Sequence, residues 1–220
     1  MITTLIGHPQ LTTIVVLRMV AYDGGVPPLN SRRRADLADA ALALLAEAGV
    51  HGVTHRAVEK RAGLPAGTAS NYFRSREALL VAAAERLGDL HYADMEAAAI
   101  EHRPAARSKR QQATDLIAHS LLDAATIHRV RYIAIFELRM ESLRRPAVAV
   151  AMTTLFERSV AVTTSHHASL GLDIPKRAVP MMLTLYGGAL FTLVTSPPEH
   201  VSADLVCDIA AGIVDAALDR

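Results

Sequence analysis

The 220-residue sequence contains a single cysteine, no tryptophan, five tyrosines and four phenylalanines. The lone Cys207 excludes an intramolecular disulfide and suits a reducing compartment; it reads as a small buried hydrophobe. Alternating apolar and polar residues are rare while helix formers dominate, which argues against a substantial β-sheet and predicts an all-α chain. The apolar run 11–22 is too short to span a bilayer, and Arg18 interrupts it. No basic segment precedes that run, so the order of a secretory signal is missing as well. A nucleophile paired with a base, a metal-ligand spacing and a phosphate-binding loop are also missing. The chain is therefore read as not an enzyme, with no cofactor and no metal. The adjacent His166 and His167 do not change this, because successive helical residues point about 100° apart and share an ion poorly. His119 and His128 are read as lacking an imidazole or carboxylate partner one turn away.

What is abundant is Ala, Leu and Val. Half the residues are apolar, ample for a core. Net charge is only +1, but it is unevenly spread. Between residues 31 and 80 eight basic side chains stand against five acidic ones; from 81 onward fourteen stand against sixteen. A basic head on a slightly acidic body fits a nucleic-acid reader attached to something else.

The stretch 54–80 organises the chain: T-H-R-A-V-E-K-R-A-G-L-P-A-G-T-A-S-N-Y-F-R-S-R-E-A-L-L. Thr54 can cap a helix by accepting an orphan N–H of its first turn. Gly63 supplies a left-handed residue just past that helix, and Pro65 prepares the next start. Phe73 is the buried anchor of the second helix. Two short helices joined by a glycine turn are a helix-turn-helix, whose second helix enters a DNA major groove. The small residues from Ala66 to Ser70 give that helix a slim leading end. Thr68 and Asn71 can hydrogen-bond to base edges, Asn matching the paired donor and acceptor of adenine. Tyr72 and Arg76 can reach phosphates.

This string resembles the DNA-binding signature of the tetracycline-repressor (TetR) family of transcription regulators. The marks are Thr54, Ala62-Gly63, Gly67-Thr68, Tyr72-Phe73 and Ser75-Arg76-Glu77 with Leu79. Ser70 departs from the usual aromatic residue and Arg76 from the usual Lys. The resemblance covers residues 32–90. It implies Arg56, Ala66, Gly67, Thr68 and Asn71 near bases, and Thr54, His55, Tyr72 and Arg76 at phosphates. Arg32, Arg33 and Arg34 open the first helix against its macrodipole. They read as an arm for phosphates or the minor groove, or as a solvated charge run.

Along the chain, 1–30 reads as a disordered leader or a mis-assigned start. The segment 31–90 reads as the DNA-binding domain, and 91–220 as a domain for ligand binding and dimerisation. Helices are predicted at 31–48, ended by Gly49, then as the short pair within 54–80 whose second member, at 66–73, is the recognition helix, and at 74–99 with Ser75 as cap. A break follows at Pro104. Further helices are predicted at 108–125, 129–143, 147–170, 176–195 and 201–218. The resemblance implies an effector pocket among the middle helices. Candidate lining residues are Tyr132, Phe136, Met140, Met152, Phe156, Met182 and Tyr186, suiting an apolar or weakly polar small molecule. The last two helices carry Met181, Leu185, Gly188, Ala189, Leu205, Ile209, Ile213 and Val214, a stripe fit for a subunit interface. In the TetR family these helices build the dimer. The expectation is a cytoplasmic, ligand-responsive homodimeric repressor on a palindromic operator, with no membrane partner. The alternative is a helical adaptor that does not read DNA sequence.

Overall fold

The protein is described by a computed structural model covering residues 29–101, 108–172 and 174–218. Almost all of the expected leader and the break at Pro104 lie outside the described residues. The chain falls into two compact units, Met1–Arg33 and Arg34–Arg220. Of the first, only the opening of one helix is described, and Arg32 and Arg33 are exposed on it.

The described residues are mostly helical and contain no strand. They form α1 (Leu29–Gly52), α2 (His55–Ala62), α3 (Thr68–Tyr72), α4 (Arg76–Glu101), α5 (Lys109–Ala125), α6 (Arg129–Ser142), α7 (Pro146–Ser169), α8 (Val179–Thr195) and α9 (Ala203–Leu218). The all-α class is as predicted, a helix-turn-helix head on a helical body.

Local chemistry sets the ends of the head's helices. Thr54 Oγ1 accepts the Ala57 N–H at 3.2 Å and so caps α2. Gly63, at φ 66°, takes the left-handed position that stops it. Ser75 Oγ accepts the Ala78 N–H at 3.1 Å and opens α4. Gly49, at φ 64°, breaks α1 near its end, where the predicted helix stopped. In the body, Ser108 and Gln111 form a reciprocal capping box ahead of α5.

Two apolar clusters hold these helices. One gathers Leu37, Leu45, Val53, Val58, Phe73, Leu79 and Leu80 from α1 to α4 and their turns, and extends to Leu138 of α6 and Val148 of α7. The other gathers Leu121 of α5, Tyr132 of α6, Leu193 and Val194 of α8 and Val214 of α9. Ile135 of α6 packs against both. Each fully buried Leu, Val or Phe contributes roughly 1.5–3 kcal/mol. The head's core therefore continues into the body rather than closing on itself.

Several expectations are corrected here. The recognition helix, expected at 66–73, is only Thr68–Tyr72, because Gly67 at φ 86° precedes it in a left-handed conformation. The helix expected at 176–195 begins as a 3₁₀ turn, Lys176–Ala178. Cys207 is exposed. The buried stripe of α9 runs through Val206, Ala210, Ile213, Val214 and Ala217 at helical spacing, and Cys207 falls one position off it. The same stripe turns Ile213 and Val214 inward, 5% and 0% exposed, so neither belongs to an outer face. His119 does have a carboxylate one turn away, with its Nε2 3.9 Å from Asp123.

Candidate functional site

The exposed arc of the head is built on a buried carboxylate. Gly67 has no side chain to cap α3. Glu59, 5% exposed, reaches from α2 and accepts the Ala69 N–H at 2.8 Å. That bond ties the two helices of the motif and satisfies an orphan donor of the five-residue α3. A carbonyl can only accept, so His55 Nε2 must donate to the Phe73 carbonyl at 2.7 Å, which joins the start of α2 to the end of α3. An added Cβ at Gly67 would meet nothing within 4 Å. Its backbone conformation, not crowding, calls for glycine.

Of the residues predicted at DNA, Arg56, Ala66, Gly67 and Asn71 are exposed, as is Ser70. Thr54 is exposed too, although its hydroxyl is used by the α2 cap. His55, Thr68 and Tyr72 are partly buried. Arg76, predicted at a phosphate, is turned inward. Its Nε donates to the Val53 carbonyl at 2.8 Å and its Nη2 to the Val50 carbonyl, so the guanidinium ties α4 to the last turn of α1 and the residue that follows it. Arg74, exposed just past α3 and singled out only as part of the charge count, is the better-placed cation. The head is braced by Arg61, bidentate on Glu47 at 2.7 and 2.6 Å, and by Arg86, bidentate on Asp39 at 2.7 and 3.0 Å.

Helices α4 to α9 line a cavity of about 220 Å³. Six of the seven predicted residues line it: Tyr132, Phe136, Met152, Phe156, Met182 and Tyr186. Met140 does not. The cavity-facing side of α6 runs from Tyr132 through Phe136 to Arg139, leaving Met140 56% exposed in a neighbouring groove with Gly188 and Phe191. The polar part of the lining, not predicted from the sequence, is His91, Ser120, Arg139, Ser159, Thr163, His166 and His167. A signal existed, since Ser159, Thr163 and His167 recur at i, i+4 and i+8 on the α7 face that carries Met152 and Phe156. Among the described residues no group of His, Cys, Asp and Glu could hold a metal.

Burial dominates the cavity's electrostatics. It lowers the His167 imidazole to about 4, with neighbouring His166 acting the same way. It also lowers His91, helped by Arg131 and opposed by Asp94. Tyr132 is raised by burial, and Tyr186 is raised well above the ordinary phenol value for the same reason. The Tyr186 hydroxyl lies 2.8 Å from Ser120 Oγ. Among the described residues no carboxylate lines the cavity.

One helix touches both sites. While Tyr132, Phe136 and Arg139 of α6 face the cavity, Glu137 on the same helix accepts the Val50 N–H at 3.1 Å, just past the Gly49 break in α1. Arg76 holds the carbonyl of that same Val50.

A helix-turn-helix with a slim exposed recognition helix, set on a helical body with a largely apolar cavity, is the make-up of a DNA-binding transcriptional regulator. Residues 37–83 match the family described as bacterial regulatory proteins, tetR family, and residues 108–220 match the tetracyclin repressor-like C-terminal domain. The chain belongs to the TetR family of transcriptional regulators. Similar solved structures share the fold. A transcriptional regulator from Rhodococcus sp. Rha1 superposes with a TM-score of 0.67 at 16% identity, over 84% of this chain and 96% of that one. A TetR-family member from Streptomyces coelicolor A3 gives 0.62 at 22% identity, over 82% and 97%. The multidrug binding protein EbrR complexed with ethidium gives 0.59 at 21% identity, over 82% and 98%. No curated protein matches the sequence.

Proposed function

We propose that this regulator is a ligand-responsive homodimeric repressor of the cytoplasm that binds a palindromic operator and catalyses no reaction. In this reading residues 31–90 are the DNA head and 91–220 the ligand-binding and dimerising body. Each head presents Ala66, Gly67, Thr68 and Asn71 to base edges, with Arg56 beside them. Thr54, His55, Tyr72 and Arg74 lie toward phosphates, and Arg32 and Arg33 form the arm. Arg76 is left out, because its donors serve the fold. Two heads reading one face of DNA need major grooves about 34 Å apart or a multiple of it, which imposes the palindrome.

The dimer is assigned to α8 and α9. Leu185, Phe191 and Leu205 are 41%, 52% and 43% exposed. Met181, Ala189 and Ile209 are partly exposed beside them, and Gly188 has open space where a Cβ would be. Lys176–Thr195 is long and apolar enough to cross a membrane. A subunit interface is the use this reading gives its bare apolar face.

The observation that carries ligand control is α6, which lines the cavity and holds the head's turn through Glu137. A ligand that prefers one tilt of α6 biases the separation of the heads by its differential affinity for the two arrangements, and by no more. EbrR is a small-molecule binder of the same fold. Selection from random duplex DNA tests the reading. An enriched palindrome carrying two chains supports it. Weak, salt-sensitive binding with no enriched motif contradicts it and favours the adaptor.

A further inference from the structure

Among the described residues the cavity wall holds polar atoms that the fold leaves unsatisfied. His167 is 5% exposed and lines the cavity, and its Nδ1 is buried without a hydrogen-bond partner. Native proteins rarely leave such an atom orphaned unless a ligand, water or function uses it. One turn earlier on α7, the Thr163 side chain also lines the cavity. Thr163 is 8% exposed, and no hydrogen bond of its hydroxyl is seen among the described residues. Residues four apart on a helix are neighbours, their Cβ atoms roughly 5–6 Å apart. An O–H and an imidazole N–H at that spacing can donate to the two oxygens of one carboxylate.

The surroundings select the sign of charge. The titratable and charged groups facing the cavity are His91 from α4, Tyr132 and Arg139 from α6, His166 and His167 from α7, and Tyr186 from α8; α5 and α9 contribute none. Among the described residues no acidic side chain lines it and Arg139 has no ion pair. A cationic ligand would meet no counter-charge here, whereas an anionic head meets only donors and basic groups. The rest of the wall is Leu, Ile, Met and aromatic, which suits an apolar body.

We propose that the cavity is a receptor site for a small monocarboxylic acid with an apolar body, its carboxylate bound by Thr163 and His167. This rests on the cavity being the effector site and narrows the effector to one chemical class.

The test uses the full chain and probes matched in body but not in head: decanoate, decanol and decylamine, then naphthoate, naphthol and naphthylmethylamine. Affinity is read by calorimetry, and operator binding by fluorescence anisotropy. Each acid is expected to bind about ten-fold or more tighter than its alcohol, since it gains charge-assisted bonds, with the amine weakest. Thr163→Val and His167→Phe, both checked for fold by circular dichroism, should each erase the acid's advantage while sparing the alcohol. His167→Phe should not lower the melting temperature of the free protein at neutral pH, because it removes an unpaired buried polar atom. Alcohols or amines binding as well as the acids, or an acid advantage that survives both variants, overturns the carboxylate site and leaves the effector cavity standing. If no probe binds, or binding leaves operator affinity unchanged, the effector reading falls and the carboxylate site with it.

Discussion

Glu59 is a clear case of one side chain carrying an interface it does not touch. It is buried and caps a five-residue helix that has no capping side chain of its own. Glu59→Ala orphans the Ala69 N–H, and a buried donor left unpaired costs about 1–3 kcal/mol. Urea unfolding should show that loss, with Glu59→Gln retaining most of the stability because its amide oxygen still accepts. Equal stability of Glu59→Ala and the parent would mean that α3 is held by other means. His167 makes a second prediction, about pH. Its imidazole is lowered to about 4 in the fold, against about 6.5 in an unfolded chain. Above the unfolded value both states are neutral and the group contributes no slope. Between about 6.5 and 4 the unfolded chain takes a proton that the native chain refuses, so stability falls as pH falls. From neutral pH to about pH 5 the loss from this group is up to ~2 kcal/mol. His91 acts in the same direction. His167→Phe should therefore flatten the acid limb without abolishing it. An unchanged limb would show that His167 titrates normally.

At the scale of elements, α6 is the link. Its cavity face and its head-facing Glu137 belong to one continuous helix, and Glu137 holds the Val50 N–H beside the Gly49 break. Glu137→Ala should cost about 1 kcal/mol. It should also speed amide hydrogen exchange around Val50 while leaving α8 and α9 protected. Unchanged exchange at Val50 would remove Glu137 as a latch. The same scale shows what the sequence makes legible. Thr54, Gly63 and Ser75 act on backbone within three or four residues of themselves, so their chemistry can be read in place. Arg76 looked like a phosphate ligand because its partners, the Val53 and Val50 carbonyls, lie 23 and 26 residues away. Glu137 and Val50 are 87 apart. The α9 residues Cys207, Ile213 and Val214 went astray for another reason. A helix apolar nearly all round carries no phase, and only packing against α5 and α8 decides which side is inside. Met140 failed at a helix end, where the cavity stripe passes to Arg139. His167 was weighed only as a metal ligand, so its place on the Thr163 face of α7 was overlooked.

At the scale of the whole molecule, reading a palindrome requires two copies of the chain on one duplex. Leu205 points outward from α9 while Val206 beside it is buried. Leu205→Glu should therefore loosen the dimer while sparing the protomer core. Loss of a central apolar anchor is worth ~2 kcal/mol or more, roughly thirty-fold in dimer affinity. Sedimentation would register this as monomer at concentrations where the parent is dimeric. An unchanged dimer would move the interface away from α9. The most direct measurement is the affinity of the parent and Asn71→Ala for the selected palindrome and for a scrambled duplex of the same length and salt. Asn71 is exposed on α3, where the account has it reading a base. The predicted result is a loss of about 1–3 kcal/mol on the palindrome and almost none on the scrambled duplex. Equal loss on both would contradict base reading by α3.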